Sequence, residues 1–104
     1  MSGTIKMKNV EKFITQLDKV QMQLDKLYRT IDSVYDEKVT KYHKDKKRYK
    51  KLGKTDDEIF ELTENLDIDI DCLDDALDSI AKAQNNIEDA NAALEEVLKR
   101  NEKK

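Results

Sequence analysis

The carboxylates Asp67, Asp69, Asp71, Asp75 and Asp78 occupy the first, third, fifth, ninth and twelfth places of a twelve-residue window, which is the ligand spacing of a calcium loop. The window fails as a loop. Its sixth place is Cys72, where a sharp turn needs glycine, its eighth is the charged Asp74, and its last is Asp78 rather than a bidentate glutamate. On a helix these carboxylates spread over more than one face. The chain has one histidine, His43, and one cysteine, Cys72, on opposite arms of the central turn. One of each builds neither a nucleophile-base-orienter set nor a zinc site. His43 reads as a solvated surface residue and Cys72 as a small, near-neutral side chain. The only glycines are Gly3 and Gly53, so no glycine-rich loop cradles a nucleotide. No enzymatic activity, cofactor or metal is expected.

A different chemistry lies in the charge. Residues 38 to 54 carry nine Lys or Arg and a single acid, Asp45, whereas residues 56 to 78 carry eleven acids and no base. In the first block Tyr42 and Tyr49 stand among Lys46, Lys47, Arg48, Lys50 and Lys51, a mixture that suits phosphates and stacked bases. The acidic block competes for the same cations, so an internal zipper takes precedence over nucleic-acid contact. Exposed ion pairs contribute only ~0–1 kcal/mol each and set register more than stability.

The element that must position these groups is helix. Proline and tryptophan are absent, and charged residues make up 41% of the chain against 38% hydrophobic, so the core is a narrow seam. From Val10 the segments starting at Leu17, Leu24 and Ile31 follow one another as near-copies of a heptad. Val10, Leu17, Leu24 and Ile31 take its a positions, and Phe13, Val20, Leu27 and Val34 its d positions. Beyond Val34 the series Ile31, Tyr35, Val39, Tyr42 suggests a stutter. The second half has a positions from Ile59 to Leu94 every seven residues, small d residues (Ala76, Ala83, Ala90), and e positions Ile70, Leu77 and Leu98 interrupted by Gln84 and Asn91.

Between the halves, basic residues and Gly53 end one helix, and Thr55 with Glu58 opens the next as a capping box. The expected fold is all-α: a flexible N-terminus over 1–8, then one domain over 9–101. Within it, helix 1 covers about 9–52, the turn 53–55, and helix 2 about 56–101. A turn this short folds the helices into an antiparallel, coiled-coil-like hairpin whose paired positions add to about 108.

All four tyrosines, Tyr28, Tyr35, Tyr42 and Tyr49, are spaced by seven at e positions, and Ile14 continues their line. They either broaden the face turned to the second helix or, with the alanine row Ala76, Ala83 and Ala90, meet further helices. On the second reading the hairpin binds another protein or a second copy of itself, the economical form being a homodimeric four-helix bundle. The architecture is similar in length and topology to small helical hairpins such as plasmid-copy regulators and the small partners of type VII secretion. The Trp-x-Gly turn of the latter is replaced here by Tyr49-Lys-Lys-Leu-Gly53. The expected function is a non-enzymatic protein-protein interaction module: an adaptor, regulator or inhibitor. A small secretion or assembly chaperone is the first alternative, and a nucleic-acid binder using 38–54 the second. With no apolar run long enough for a membrane span and no apolar leader segment, a cytoplasmic location is expected.

Overall fold

Helix propensity with no proline interruption, and one strong stop at Gly53, produce two helices in the computed structural model. It describes residues 7 to 102. They are α1, Met7–Lys51, and α2, Asp56–Glu102, packed against each other, and no strand occurs among the described residues. The expected flexible segment lies outside the described residues for positions 1–6. Met7 and Lys8 already belong to α1, because the heptad continues one turn upstream of Val10 with Met7 half-buried. The alternating run Asp67 to Asp71 is helical throughout, as the heptad passing through it requires.

Hydrogen bonding at the turn follows from the residue types. The Gly53 and Lys54 amides donate to the Lys50 and Tyr49 carbonyls at 3.0 and 3.1 Å, the paired bonds that close a helix around a left-handed residue. Gly53 supplies that residue, with φ of 81°. Thr55 then caps α2. The Glu58 amide donates to Thr55 Oγ1 at 3.2 Å, and the Thr55 amide donates to Glu58 Oε1 at 3.0 Å.

The Thr55 amide, and after it the Thr55 hydroxyl, hold the Glu58 carboxyl below its ordinary value of 4.5. A depressed carboxyl pKa stabilises the fold above the unfolded value, and that contribution is lost as pH falls through the folded one. Thr55→Ala, which removes the hydroxyl that caps the Glu58 amide, is expected to cost ~1 kcal/mol. Glu58→Ala removes the titrating half of the box, so its urea midpoint should lie below that of the parent chain at neutral pH and approach it as pH drops below 4.5. A Glu58→Ala penalty that stayed the same at pH ~3 would show that the bond from the Thr55 amide to the Glu58 carboxylate is absent in solution.

Two compact units make up the hairpin: an open-end unit (residues 7–27 with 80–102) and a turn unit (residues 28–79). In the open-end unit, Gln21 Nε2 donates to the Gln84 carbonyl at 3.1 Å and Asn91 Nδ2 to Asp18 at 3.0 Å. In the turn unit, Lys38 Nζ reaches Asp69 at 3.3 Å. The residue numbers of these pairs add to 105, 109 and 107, which is the antiparallel register that the turn implies.

The seam differs from the one a conventional a/d reading selects. In the open-end unit α1 turns Val10, Leu17 and Leu24 inward together with the e positions Ile14 and Gln21. In the turn unit it turns in Ile31 and Lys38 together with the e positions Tyr28, Tyr35 and Tyr42. On α2 the a row is likewise joined by the e positions Thr63, Ile70, Leu77, Gln84, Asn91 and Leu98. The d residues of α1 are left outside: Phe13, Val20 and Leu27 are 48, 41 and 47% exposed in the open-end unit, and Val34 is 38% exposed in the turn unit. The cause lies on α2, whose bulk is on its e row while its d row is mostly alanine.

The series expected to form a stutter, Ile31, Tyr35, Val39 and Tyr42, is half-buried throughout. The charged a positions Lys38 and Asp45 are half-buried beside it, so the seven-residue row from Ile31 also continues on this face. Lys38 is answered by Asp69, and Asp45 by Lys41 and Arg48 at 3.1 and 3.7 Å. Only three apolar side chains among the described residues are buried: Val10, Ile59 and Leu77. Buried Thr63 satisfies its hydroxyl on the Ile59 carbonyl at 2.8 Å.

Candidate functional site

The sequence-derived interface residues divide between two places. Tyr28, Tyr35, Tyr42, Tyr49 and Ile14 are half-buried on the face of α1 that lies against α2. Tyr42, for example, lines a groove with Ile59 and Thr63 of α2. The alanines stand outside the seam, with Ala76 and Ala83 half-buried and Ala90 exposed. The apolar residues that share this outside position on α1 are the d row, which spacing alone had assigned to the seam.

A two-helix pair has two flanks, and in the open-end unit they differ in chemistry. On one flank a groove is lined by Asp18, Asp25 and Glu88 with Gln21, Gln84 and Asn85, and with Met22 and Ala81 as its apolar members. These are carboxylates bordering a polar edge. The other flank holds the d rows and the positions next to them: Phe13, Gln16, Val20, Gln23 and Leu27 on α1, and Ala83, Asn86, Ala90, Ala93 and Val97 on α2. Ten consecutive flank positions carry no charge in a chain that is 41% charged. Random placement would put several charges there. An uncharged flank with three large, half-exposed hydrophobes is the kind of patch that marks an interaction surface.

The same rows in the turn unit begin uncharged at Thr30 and Val34 on α1, then become Lys41 and Arg48. On α2 they include Leu62, Asp69 and Ala76. Arg48 and Lys46 are occupied by the tyrosines beside them: the Arg48 guanidinium lies 5.0 Å from the Tyr49 ring centre, and Lys46 Nζ 5.2 Å from that of Tyr42. Lys47, Lys50 and Lys51 are exposed. Tyr42 and Tyr49 thus each carry a cation over one ring face.

His43 meets the Tyr42 ring edge-on at 5.6 Å, and Cys72 is exposed. The acids Asp67 to Asp78 lie along α2, and no group of three metal-ligating side chains converges among the described residues. No described helix is long and apolar enough to cross a membrane. The signal that marks the uncharged flank was present in the sequence as the absence of charge at d and the neighbouring position. It becomes visible only when the e row, not the d row, is known to be inside. Compared with known proteins, the chain matches no family model, no curated protein and no solved structure.

Proposed function

We propose that the chain is a non-enzymatic protein-protein interaction module that works through the uncharged flank of its open-end unit. The observation that carries this reading is the half exposure of Phe13, Val20 and Leu27 on a flank that carries no charge between Phe13 and Leu27 or between Ala83 and Val97. A thin core supports it from the other side, because a chain of this size that buries so few side chains gains stability by covering more. Completing the burial of each of the three residues contributes about 1 kcal/mol, half of what a fully exposed side chain would gain. Covering the acidic flank would instead require desolvating Asp18, Asp25 and Glu88. Dimerisation into a four-helix bundle is one way of meeting this demand, and an adaptor, regulator or hairpin chaperone bound to another protein is the other.

Single cysteines at Gln16 on the uncharged flank and at Lys19 on the solvent side, both in a Cys72→Ser chain, provide the test. Maleimide labelling of the purified chain and of the chain in host lysate is compared at the two positions. The Gln16 position should react ~10-fold more slowly than the Lys19 position in at least one of the two settings, since a covered thiol is shielded from solvent. Equal rates in both settings would remove the flank as an interface.

A further inference from the structure

We infer that the cover on this flank is a second copy of the same chain, with α1 of each copy lying along α2 of the other and both copies running the same way. The inference rests on the reading of the flank as an interface and names its occupant. Within the open-end unit the flank is sorted by size. The large residues Phe13, Val20 and Leu27 all belong to α1, and the small residues Ala83 and Ala90 to α2, with Val97 at the end of the α2 row. In the observed register the α2 d residues nearest in level are Ala83 to Leu27, Ala90 to Val20 and Val97 to Phe13.

A two-fold axis can relate two such flanks in two ways. An axis across the helices lays α1 on α1 and α2 on α2, which crowds the large rows together and leaves space over the alanines. An axis parallel to the helices lays each large row on the other copy's alanine row at the same level. Alanines permit close helix approach, and the large side chains fill the space that they leave. The surface is then complementary to itself, as an isologous contact must be.

Charge agrees with this choice. Between Phe13 and Leu27 and between Ala83 and Val97 nothing on the flank must be desolvated as an ion, Arg100 beyond them pairs with Glu96, and Gln16, Gln23 and Asn86 keep polar tips at the rim. In the turn unit, taken by itself, the same rows carry Lys41 on α1 and Asp69 on α2, whose numbers add to 110. Both are already engaged within their own hairpin, Lys41 with Asp45 and Asp69 with Lys38, so this pair does not decide between the two arrangements. A partner that binds by its own charge finds no counter-charge on the open-end flank.

The full chain in a Cys72→Ser background is used for the test, with Gln23→Cys on one preparation and Asn86→Cys on a second, size-tagged one. These two positions point away from the seam of their own hairpin and come level with each other only across the proposed contact. Mixed and oxidised, they should give the mixed Gln23–Asn86 disulfide in ~10-fold excess over either homodisulfide, a ratio set by proximity. Sedimentation equilibrium at about 10 μM, above the Kd of an ordinary stable interface, should report twice the 12.2 kDa chain mass. Leu27→Glu should keep its helix content and weaken self-association by ~100-fold, because it buries a charge at the contact.

A monomer under these conditions overturns the inference. If the Gln16 position is nevertheless protected in lysate, the interface reading survives and its occupant is another protein. A Gln23 homodisulfide as the main product overturns the arrangement of the two copies.

Discussion

Leu77→Ala is expected to lower the stability of the chain by about 3 kcal/mol, the cost of removing a buried leucine from a seam that cannot collapse around the gap. In a domain this small the melting temperature should fall by roughly 12–20 °C. Leu77 is 7% exposed and is one of few buried side chains among the described residues, so no neighbouring bulk is available to fill its place. Leu27→Ala makes the useful contrast. Leu27 occupies a regular d position but is 47% exposed, so its truncation should cost under ~1 kcal/mol in the dilute chain.

The two variants also respond differently to concentration. The Leu77→Ala penalty belongs to the hairpin and should not change with protein concentration. The Leu27→Ala penalty should grow between low and high micromolar protein if the flank is covered by association, since linkage adds stability only where a contact forms. Thermal melts at two concentrations for both variants decide the matter. A Leu77→Ala chain that melts within a few degrees of the parent would sink the a/e seam.

The second large effect runs in the opposite direction. Gln21 and Asn91 place amides in the seam of the open-end unit, and each uses its NH2 group on a partner across the pair. The carbonyl oxygens, Gln21 Oε1 and Asn91 Oδ1, are buried and accept no hydrogen bond from the described residues. A buried acceptor left unpaired costs ~1–3 kcal/mol, more than the ~1 kcal/mol that its NH2 partner returns. Gln21→Leu and Asn91→Leu should therefore each stabilise the hairpin by about 1 kcal/mol, and the double variant should raise the melting temperature by roughly 10 °C.

Loss of specificity should accompany that gain. A polar residue in an otherwise apolar seam is a common device for fixing register and oligomeric state. The double variant is expected to populate larger or mixed oligomers by sedimentation velocity where the parent chain gives one species. A lower melting temperature for the double variant would mean that the amide contacts outweigh their unsatisfied oxygens.

Much of this molecule can be read without coordinates, and the reason in each case is local. Gly53 ends α1 because the paired bonds from residues 53 and 54 need a left-handed residue, and Thr55 with Glu58 opens α2 because their side chains and amides satisfy each other within one turn. The a rows from Val10 and from Ile59 follow directly from a seven-residue spacing. The antiparallel direction follows from the length of the turn, and the register from where the turn lies.

Which row joins the a row inside was settled only by the tertiary structure. Positions d and e stand three and four residues from a, on either side of it, and both repeat every seven, so periodicity supports either seam. Phe13, Val20 and Leu27 are more apolar than Tyr28, Gln21 and Tyr35, and α1 considered alone favours d. On α2 the bulk is at Ile70, Leu77 and Leu98, and packing against that bulk draws the tyrosine row of α1 inward. The candidate surface is the consequence. An apolar row displaced from the seam by the demands of the opposite helix becomes, with the alanines beside it, an uncharged flank that a sequence read one helix at a time assigns to the core.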